Sequence, residues 1–154
     1  MEKIIKIGDK GLELIKSFEG LILNPYKCPS GVPTIGYGNT FYENKIKVTL
    51  KDPSITKERA EELLKHTLLT FEQYVDSYCT DLLSQNQFDA LVSFCYNVGP
   101  NNLKNSTLLK KINKNLNDPS IKDEFLKWNK SGGIALAGLA RRRAAEAGLY
   151  FLKS

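Results

Sequence analysis

Three polar side chains near the start of the chain have the types and the spacing of a catalytic group. Glu19 and Cys28 are separated by eight residues, and Cys28 and Thr34 by five. Glu19 ends a segment with an apolar helical stripe, Cys28 lies in a proline-rich and glycine-rich loop, and Thr34 opens a strand-like run. These positions at three element boundaries could converge on one small volume. An acid that can transfer a proton would there lie near a thiol and a hydroxyl, which can donate or accept hydrogen bonds.

Each of the three residues also has an ordinary structural interpretation. Glu19 could be a solvated glutamate at a helix end, Cys28 a buried cysteine and Thr34 a common strand residue. Desolvation beside a cleft would favour the protonated form of the acid. A thiol is mostly neutral at pH 7 and accepts hydrogen bonds more weakly than a carboxylate. Cys28 therefore favours positioning of water over strong base catalysis, and a covalent role for its sulfur is an open alternative.

The residues around this set resemble the active-site region of phage-type lysozymes (endolysins), glycoside hydrolase family 24. The resemblance covers Phe18-Glu19-Gly20, Tyr26 and Thr34-Ile35-Gly36-Tyr37-Gly38, and the family spacing Glu-x8-Asp/Cys-x5-Thr is matched without a gap. It implies hydrolysis of the β-1,4 bond between N-acetylmuramic acid and N-acetylglucosamine in peptidoglycan, with inversion at the anomeric carbon. Glu19 would be the acid, and Cys28 with Thr34 would hold the water.

Two later segments resemble further parts of the same family. Residues 90–99 (ALVSFCYNVG) are similar to the segment that borders the substrate groove, and residues 138–146 (GLARRRAAE) to a segment that carries arginines. In this family histidine is common at the position of Asn39. The resemblance implies that Arg142 pairs with Glu19 or binds a carboxylate of the peptide stem, and Ser106 is a further groove candidate. The expected substrate-binding residues are Tyr37, Asn39, Tyr96, Asn97, Thr107 and Arg142.

The pattern of elements, together with this resemblance, predicts an α+β, mostly helical, two-lobed lysozyme-like fold. A small antiparallel sheet in the N-terminal lobe is predicted from period-two alternation over residues 34–37 and 45–50. Further helices are predicted from capping residues at Ser84, Ser106 and Asp118, and a last one from about Ala137. The chain is expected to form a single lysozyme domain with lobe 1 at about 1–55, a long connecting helix at about 56–79 and a helical lobe at about 80–154.

Composition restricts the partners and the compartment. The 154 residues include 22 Lys and Arg against 17 Asp and Glu, and the net charge of +5 favours anionic partners such as an acidic wall polymer. Cys28, Cys79, Cys95 and the single His66 form no metal-binding pattern, so we expect no metal and no other cofactor. No apolar run approaches the length of about 18 residues needed to span a membrane, and the start lacks the apolar core of a secretory signal. We therefore expect a monomer without stable membrane insertion that stays in the host bacterial cytoplasm until a holin gives it access to the wall.

Three other functions are compatible with parts of this pattern. A non-catalytic peptidoglycan-binding relative would retain the groove and lose the function of Glu19. A lytic transglycosylase would also use a single glutamate, but its product would carry an anhydro-muramic end. A basic nucleic-acid-binding domain would use the net charge and Arg141–Arg143, although no recognition-helix motif is present. We expect no nucleic acid among the partners.

Overall fold

The computed structural model describes residues 2–153, and these residues confirm the α+β class. Helices account for most of the regular structure, and the strands form two small antiparallel hairpins. In chain order the elements are α1 (Asp9–Glu19), β1 (Ile22–Lys27), β2 (Pro33–Gly36), α2 (Lys57–Tyr78), α3 (Gln85–Val98), α4 (Pro100–Lys104), α5 (Thr107–Lys114), α6 (Ile121–Leu126), β3 (Lys130–Ser131), β4 (Ile134–Ala135) and α7 (Ala137–Phe151).

The described chain divides into two compact units. Residues 15–69 form one unit, which we call the hairpin unit because it contains β1 and β2. Residues 2–14 and 70–153 form the other, which we call the helical unit. Residues 2–14 therefore belong with the C-terminal helices, whereas the sequence predicted them in the first lobe. That the chain is one lysozyme domain stays a prediction.

The hairpin of β1 and β2 is the main structure of the hairpin unit. The strands are antiparallel, with Ile22 opposite Gly36 and Tyr26 opposite Thr34, and their register shifts between these two pairs. The predicted strand at residues 34–37 is confirmed as β2, one residue earlier. The turn at residues 28–32 closes the hairpin through a hydrogen bond from the Cys28 amide to the Val32 carbonyl (3.1 Å).

The predicted strand at residues 45–50 is wrong. This segment makes a single bridge, between Phe41 and Lys47, and it forms a loop instead. The carboxylate of Asp52 accepts hydrogen bonds from the amide (2.9 Å) and the hydroxyl (2.6 Å) of Thr49, which takes that amide away from strand pairing. Val48 nevertheless packs into the core of this unit with Ile35 and Leu63. The alternating pattern therefore predicted the burial of Val48 correctly, but it predicted the wrong backbone conformation for the segment.

The long helix α2 confirms the predicted connecting helix. It begins after Thr56, whose hydroxyl accepts a hydrogen bond from the Arg59 amide (3.1 Å), as expected of a helix cap. Its 22 residues bury apolar side chains along the whole length, from Leu63 to Val75. The boundary between the two units falls inside this helix, at residues 69 and 70.

Of the helix caps predicted in the helical unit, those at Ser84 and Ser106 are present and the one at Asp118 is not. Ser84 and Gln87 form the capping box of α3, and Ser106 caps α5. The helix predicted from Asp118 to Trp128 is shorter, because Asp118 accepts hydrogen bonds from the amide (2.9 Å) and hydroxyl (2.8 Å) of Ser120 and so forms a turn before α6. The predicted loop at residues 131–133 lies at the turn of the hairpin formed by β3 and β4, and α7 begins at Ala137 as predicted.

No helix within residues 2–153 combines the length and the apolar character needed to cross a bilayer.

Candidate active site

The hairpin of β1 and β2 brings Cys28 and Thr34 together. Cys28 directly follows β1, and Thr34 is the second residue of β2, opposite Tyr26. The Thr34 side chain is buried, and its hydroxyl donates a hydrogen bond to the Val32 carbonyl (2.8 Å). Because an oxygen that donates one hydrogen bond keeps its lone pairs, Thr34 can also accept a hydrogen bond. The tight turn is thus the reason that a thiol and a hydroxyl six positions apart are neighbours.

The surroundings of Cys28 favour its thiolate. The sulfur lies 2.9 Å from the Ser30 hydroxyl and is partly exposed. The hydrogen bond with Ser30, followed by one with the backbone of Val32, lowers the pKa of the Cys28 thiol to about 7. A thiol with this pKa is about half ionised at neutral pH, so Cys28 is a better acceptor than the sequence alone suggested.

Glu19 is the last residue of α1 and belongs to the same unit as Cys28 and Thr34. Gly20 ends the helix with a positive φ of 73°, and its amide donates to the Lys16 carbonyl (3.1 Å). This turn directs the chain from the helix into β1 within two residues. The Glu19 side chain is neither fully buried nor fully exposed, as a proton donor that meets a substrate must be.

The two substrate-binding residues expected in the hairpin unit, Tyr37 and Asn39, are buried in its interior. Tyr37 is 3% exposed, and the Lys16 ammonium lies 5.6 Å from the centre of its ring. Asn39 is 7% exposed, and its amide donates to the Thr67 hydroxyl (2.9 Å) and the Leu63 carbonyl (3.4 Å) of α2. Asn39 therefore links the end of the hairpin to the long helix. The burial of Tyr37 and Asn39 does not support direct contact with a polysaccharide.

Tyr96, Asn97 and Thr107 lie in the helical unit at helix ends. Tyr96 is partly exposed at the end of α3, and its ring meets that of Phe71 edge to face (5.2 Å between centroids). Asn97 is exposed and accepts a hydrogen bond from Arg143 (2.6 Å). Thr107 is exposed at the start of α5, whereas its neighbour Ser106 is buried as the helix cap. Tyr96, Asn97 and Thr107 keep the exposure that a substrate contact requires.

Arg142 belongs to a buried charged cluster on α3 and α7 of the helical unit. Glu146 accepts hydrogen bonds from Arg142 (3.3 Å) and from the Ser93 hydroxyl (2.5 Å), and Arg143 pairs with its other oxygen (2.9 Å). Burial raises the pKa of Glu146, and the positive charges of Arg143 and Arg142 oppose this effect. Arg142 is 3% exposed, and this burial does not favour contact with a peptide stem at the surface.

The structure pairs Arg143 with Glu146, whereas the sequence left open which arginines of residues 141–143 pair with this acid. Their spacing of three residues, and the spacing of four between Arg142 and Glu146, place both arginines on the side of α7 that carries the acid. Only Arg141 of the three arginines is exposed. Burial of the other two removes them from contact with the phosphates of a nucleic acid, which weakens the nucleic-acid-binding alternative.

The remaining cysteines belong to the core. Burial raises the pKa of Cys79 and of Cys95 to about 12, so both are neutral thiols. Both are small side chains buried in the core, as free cysteines commonly are. Among residues 2–153 no group of three or more His, Cys, Asp or Glu side chains is arranged to hold a metal ion.

Comparison with known proteins identifies the family. The family model described as Phage lysozyme matches residues 16–146. The chain is 44% identical over 151 residues to the endolysin of Bacillus phage B103, covering 95% of this chain and 54% of that protein. It is 39% identical to the endolysin of Acyrthosiphon pisum secondary endosymbiont phage 1, covering 94% of this chain and 97% of that protein. The chain therefore spans about half the length of the Bacillus phage relative.

The fold agrees with this comparison. The solved structure of the endolysin from Escherichia coli O157:H7 phage FAHEc1 superposes with a TM-score of 0.88 at 34% identity, covering 98% of this chain and 96% of that one. The matched residues include Glu19, Cys28 and Thr34, and they include the arginine segment at residues 138–146. The chain belongs to the phage lysozyme family.

Proposed function

We propose that this chain is a muramidase that cleaves the β-1,4 bond between N-acetylmuramic acid and N-acetylglucosamine in peptidoglycan. The observation that carries the proposal is the pair formed by Cys28 and Thr34 on the hairpin, in the same unit as Glu19. Family membership and the endolysin names of the relatives support it. The net charge of +5 would favour approach to an anionic wall.

The proposed reaction is hydrolysis with inversion at the anomeric carbon. Glu19 donates its proton to the glycosidic oxygen as the bond to the anomeric carbon breaks. A water molecule held by Cys28 and Thr34 attacks from the opposite face of the sugar ring. The thiolate of Cys28 accepts a proton from this water, and the Thr34 oxygen fixes its direction. No metal or organic cofactor takes part in these steps.

The decisive experiment is product analysis from purified peptidoglycan digested by the wild type and by Glu19→Gln. We expect reducing muramic ends of inverted configuration from the wild type and a loss of at least about 100-fold in rate for the variant, because general acid catalysis contributes on this scale. Anhydro-muramic ends would instead identify a lytic transglycosylase. Unchanged lysis by Glu19→Gln would refute the role of Glu19, and binding without lysis by the wild type would identify a non-catalytic relative.

The biological setting belongs to the same proposal. We propose that the protein acts as a monomer in host cell lysis, remains in the bacterial cytoplasm until the membrane is opened by a holin and then acts on the wall. Expression in bacteria with and without a holin tests this, with turbidity as the measurement. Lysis at the same rate without any membrane-opening protein would contradict it.

A further inference from the structure

Residues 41–51 of the hairpin unit, which we call the lysine loop, expose apolar and basic side chains next to one another. The exposed large apolar side chains of the loop are Phe41 (45%), Ile46 (61%) and Leu50 (47%). Its exposed basic side chains are Lys45, Lys47 and Lys51. Apolar side chains that are grouped at the surface, rather than scattered singly, indicate a site of interaction.

The backbone of the lysine loop has a fixed conformation. The amide of Tyr42 donates a hydrogen bond to the carbonyl of Ile46 (3.0 Å) and closes a tight turn. Lys47 lies opposite Phe41 in an antiparallel bridge, and Val48 packs into the core of the unit. The exposed side chains are therefore carried by an ordered segment, so little conformational entropy is lost when they bind a surface.

The lysines of this loop have no acidic partner, whereas the acids beside them are already bound. Arg59 donates to Glu43 (2.7 Å). The hydroxyls of Tyr42 and Thr49 each donate to Asp52 (2.6 Å). Within residues 2–153 no ion pair or hydrogen bond involves the ammonium groups of the three lysines. Because Arg59 balances the charge of Glu43, the lysines exceed the remaining acid, and the loop complements a negatively charged surface.

We propose that the lysine loop binds the surface of a membrane that contains anionic phospholipids. Its apolar side chains would enter the headgroup region, and its lysines would lie against the lipid phosphates. An anionic wall polymer would attract the lysines equally well, but it offers no apolar layer in which the apolar side chains could be buried. The binding is peripheral and reversible. It goes beyond the proposed cleavage of peptidoglycan and does not depend on it.

The test is co-sedimentation of the purified protein with vesicles of mixed phosphatidylglycerol and phosphatidylcholine and with vesicles of phosphatidylcholine alone. We expect the partition coefficient to be at least about tenfold higher for the anionic vesicles and to fall as salt is added. Lys47→Gln should lower it about fivefold, the contribution of one lysine at an anionic surface. Ile46→Ser should lower it at least about threefold without changing the salt dependence, because apolar burial involves no charge.

Two matched variants separate this loop from the net charge of the whole chain. Lys110→Gln and Ile134→Ser make the same changes at exposed residues of the helical unit and should leave binding unchanged. Thermal unfolding of all four variants should match the wild type, because the altered side chains are exposed. Equal binding to the two kinds of vesicle, or equal losses in the matched variants, overturns the inference. Binding that depends on Lys47 but is unchanged in Ile46→Ser also overturns it, since the loop would then attract anions in general.

Discussion

The titration of Cys28 near neutral pH leads to a prediction at the scale of single residues. The rate of hydrolysis should rise with pH through about 7, because only the thiolate accepts a proton well from the attacking water. One pH unit below this pKa the thiolate fraction, and with it the rate, should be about tenfold lower than the plateau. The measurement is the pH dependence of kcat/KM on purified peptidoglycan.

Substitutions on the hairpin test the origin of this pH dependence. Ser30→Ala removes the largest cause of the lowered pKa and should move the rise to higher pH. Cys28→Asp should move it to lower pH, because an aspartate has an ordinary pKa of about 3.9. Cys28→Ala should lose most of the activity. A rise that stays near pH 7 in all three variants would show that another group controls it.

The proximity of Cys28 and Thr34 could be predicted from the sequence, whereas the burial of two expected binding residues could not. The spacing of Cys28 and Thr34 is a local property, and the short hairpin turn between them converts it directly into proximity. The burial of Asn39 depends on its hydrogen bonds to Leu63 and Thr67, which lie far along the chain in α2. The burial of Arg142 depends in the same way on α3. Neither of these partnerships leaves a periodic pattern in the sequence.

At the scale of elements, the helices were predictable because their signals are local. Capping residues such as Ser84 and Ser106 act within one helical turn, and both were found where they were expected. The short strands were harder to predict. β1 contains Pro25 and an irregular register, while residues 45–50 alternate without a strand partner beyond the bridge at Lys47. Strand pairing depends on a distant segment, and the alternating pattern does not identify that segment.

The ion pair between Glu43 and Arg59 connects the loop before residue 50 to α2 and predicts acid sensitivity. Arg59 donates to both carboxylate oxygens, at 2.7 Å to one of them, and lowers the pKa of Glu43 to about 2. A carboxylate with a lowered pKa stabilises the fold above its ordinary pKa, and this contribution is lost as the pH falls from about 4 toward 2. Because both side chains are about one-third exposed, we expect a loss of about 1 kcal/mol.

Urea denaturation at pH 6 and at pH 2.5 measures this effect. Glu43→Gln should be less stable than the wild type at pH 6 and should approach it at pH 2.5, where the wild-type pair is weakened. Glu2→Gln removes the same charge from an exposed site in the helical unit and serves as the control. An equal pH dependence of stability in the wild type and in Glu43→Gln would contradict the assignment.

At the scale of the whole molecule, the beginning of the chain is part of the helical unit. Asp89 of α3 accepts hydrogen bonds from the amides of Gly8 (2.9 Å) and Gly11 (3.1 Å), and Glu72 of α2 accepts one from the amide of Ile7 (2.6 Å). These two buried carboxylates fix the entry into α1. No sequence pattern predicted that residues 2–14 bind to helices more than fifty positions away. The hydrogen-bond acceptors, Glu72 and Asp89, are single acids in helices whose sequence patterns do not distinguish them from surface acids.

The packing of this first segment predicts opposite effects for two glycine-to-alanine substitutions in helices of the same unit. A Cβ atom at Gly11 would lie 2.5 Å from Asp89 Cβ and 2.8 Å from Ile7 Cγ1, whereas at Gly148 in α7 it would meet no atom within 4 Å. Gly148→Ala should raise the free energy of unfolding by about 0.5–1 kcal/mol, since alanine loses less conformational freedom in a helix. Gly11→Ala should lower it by about 1–3 kcal/mol, because it forces Asp89 away from the amides it holds. Urea denaturation of both variants gives the comparison, and equal stabilisation by the two would mean that the first segment does not pack on α3.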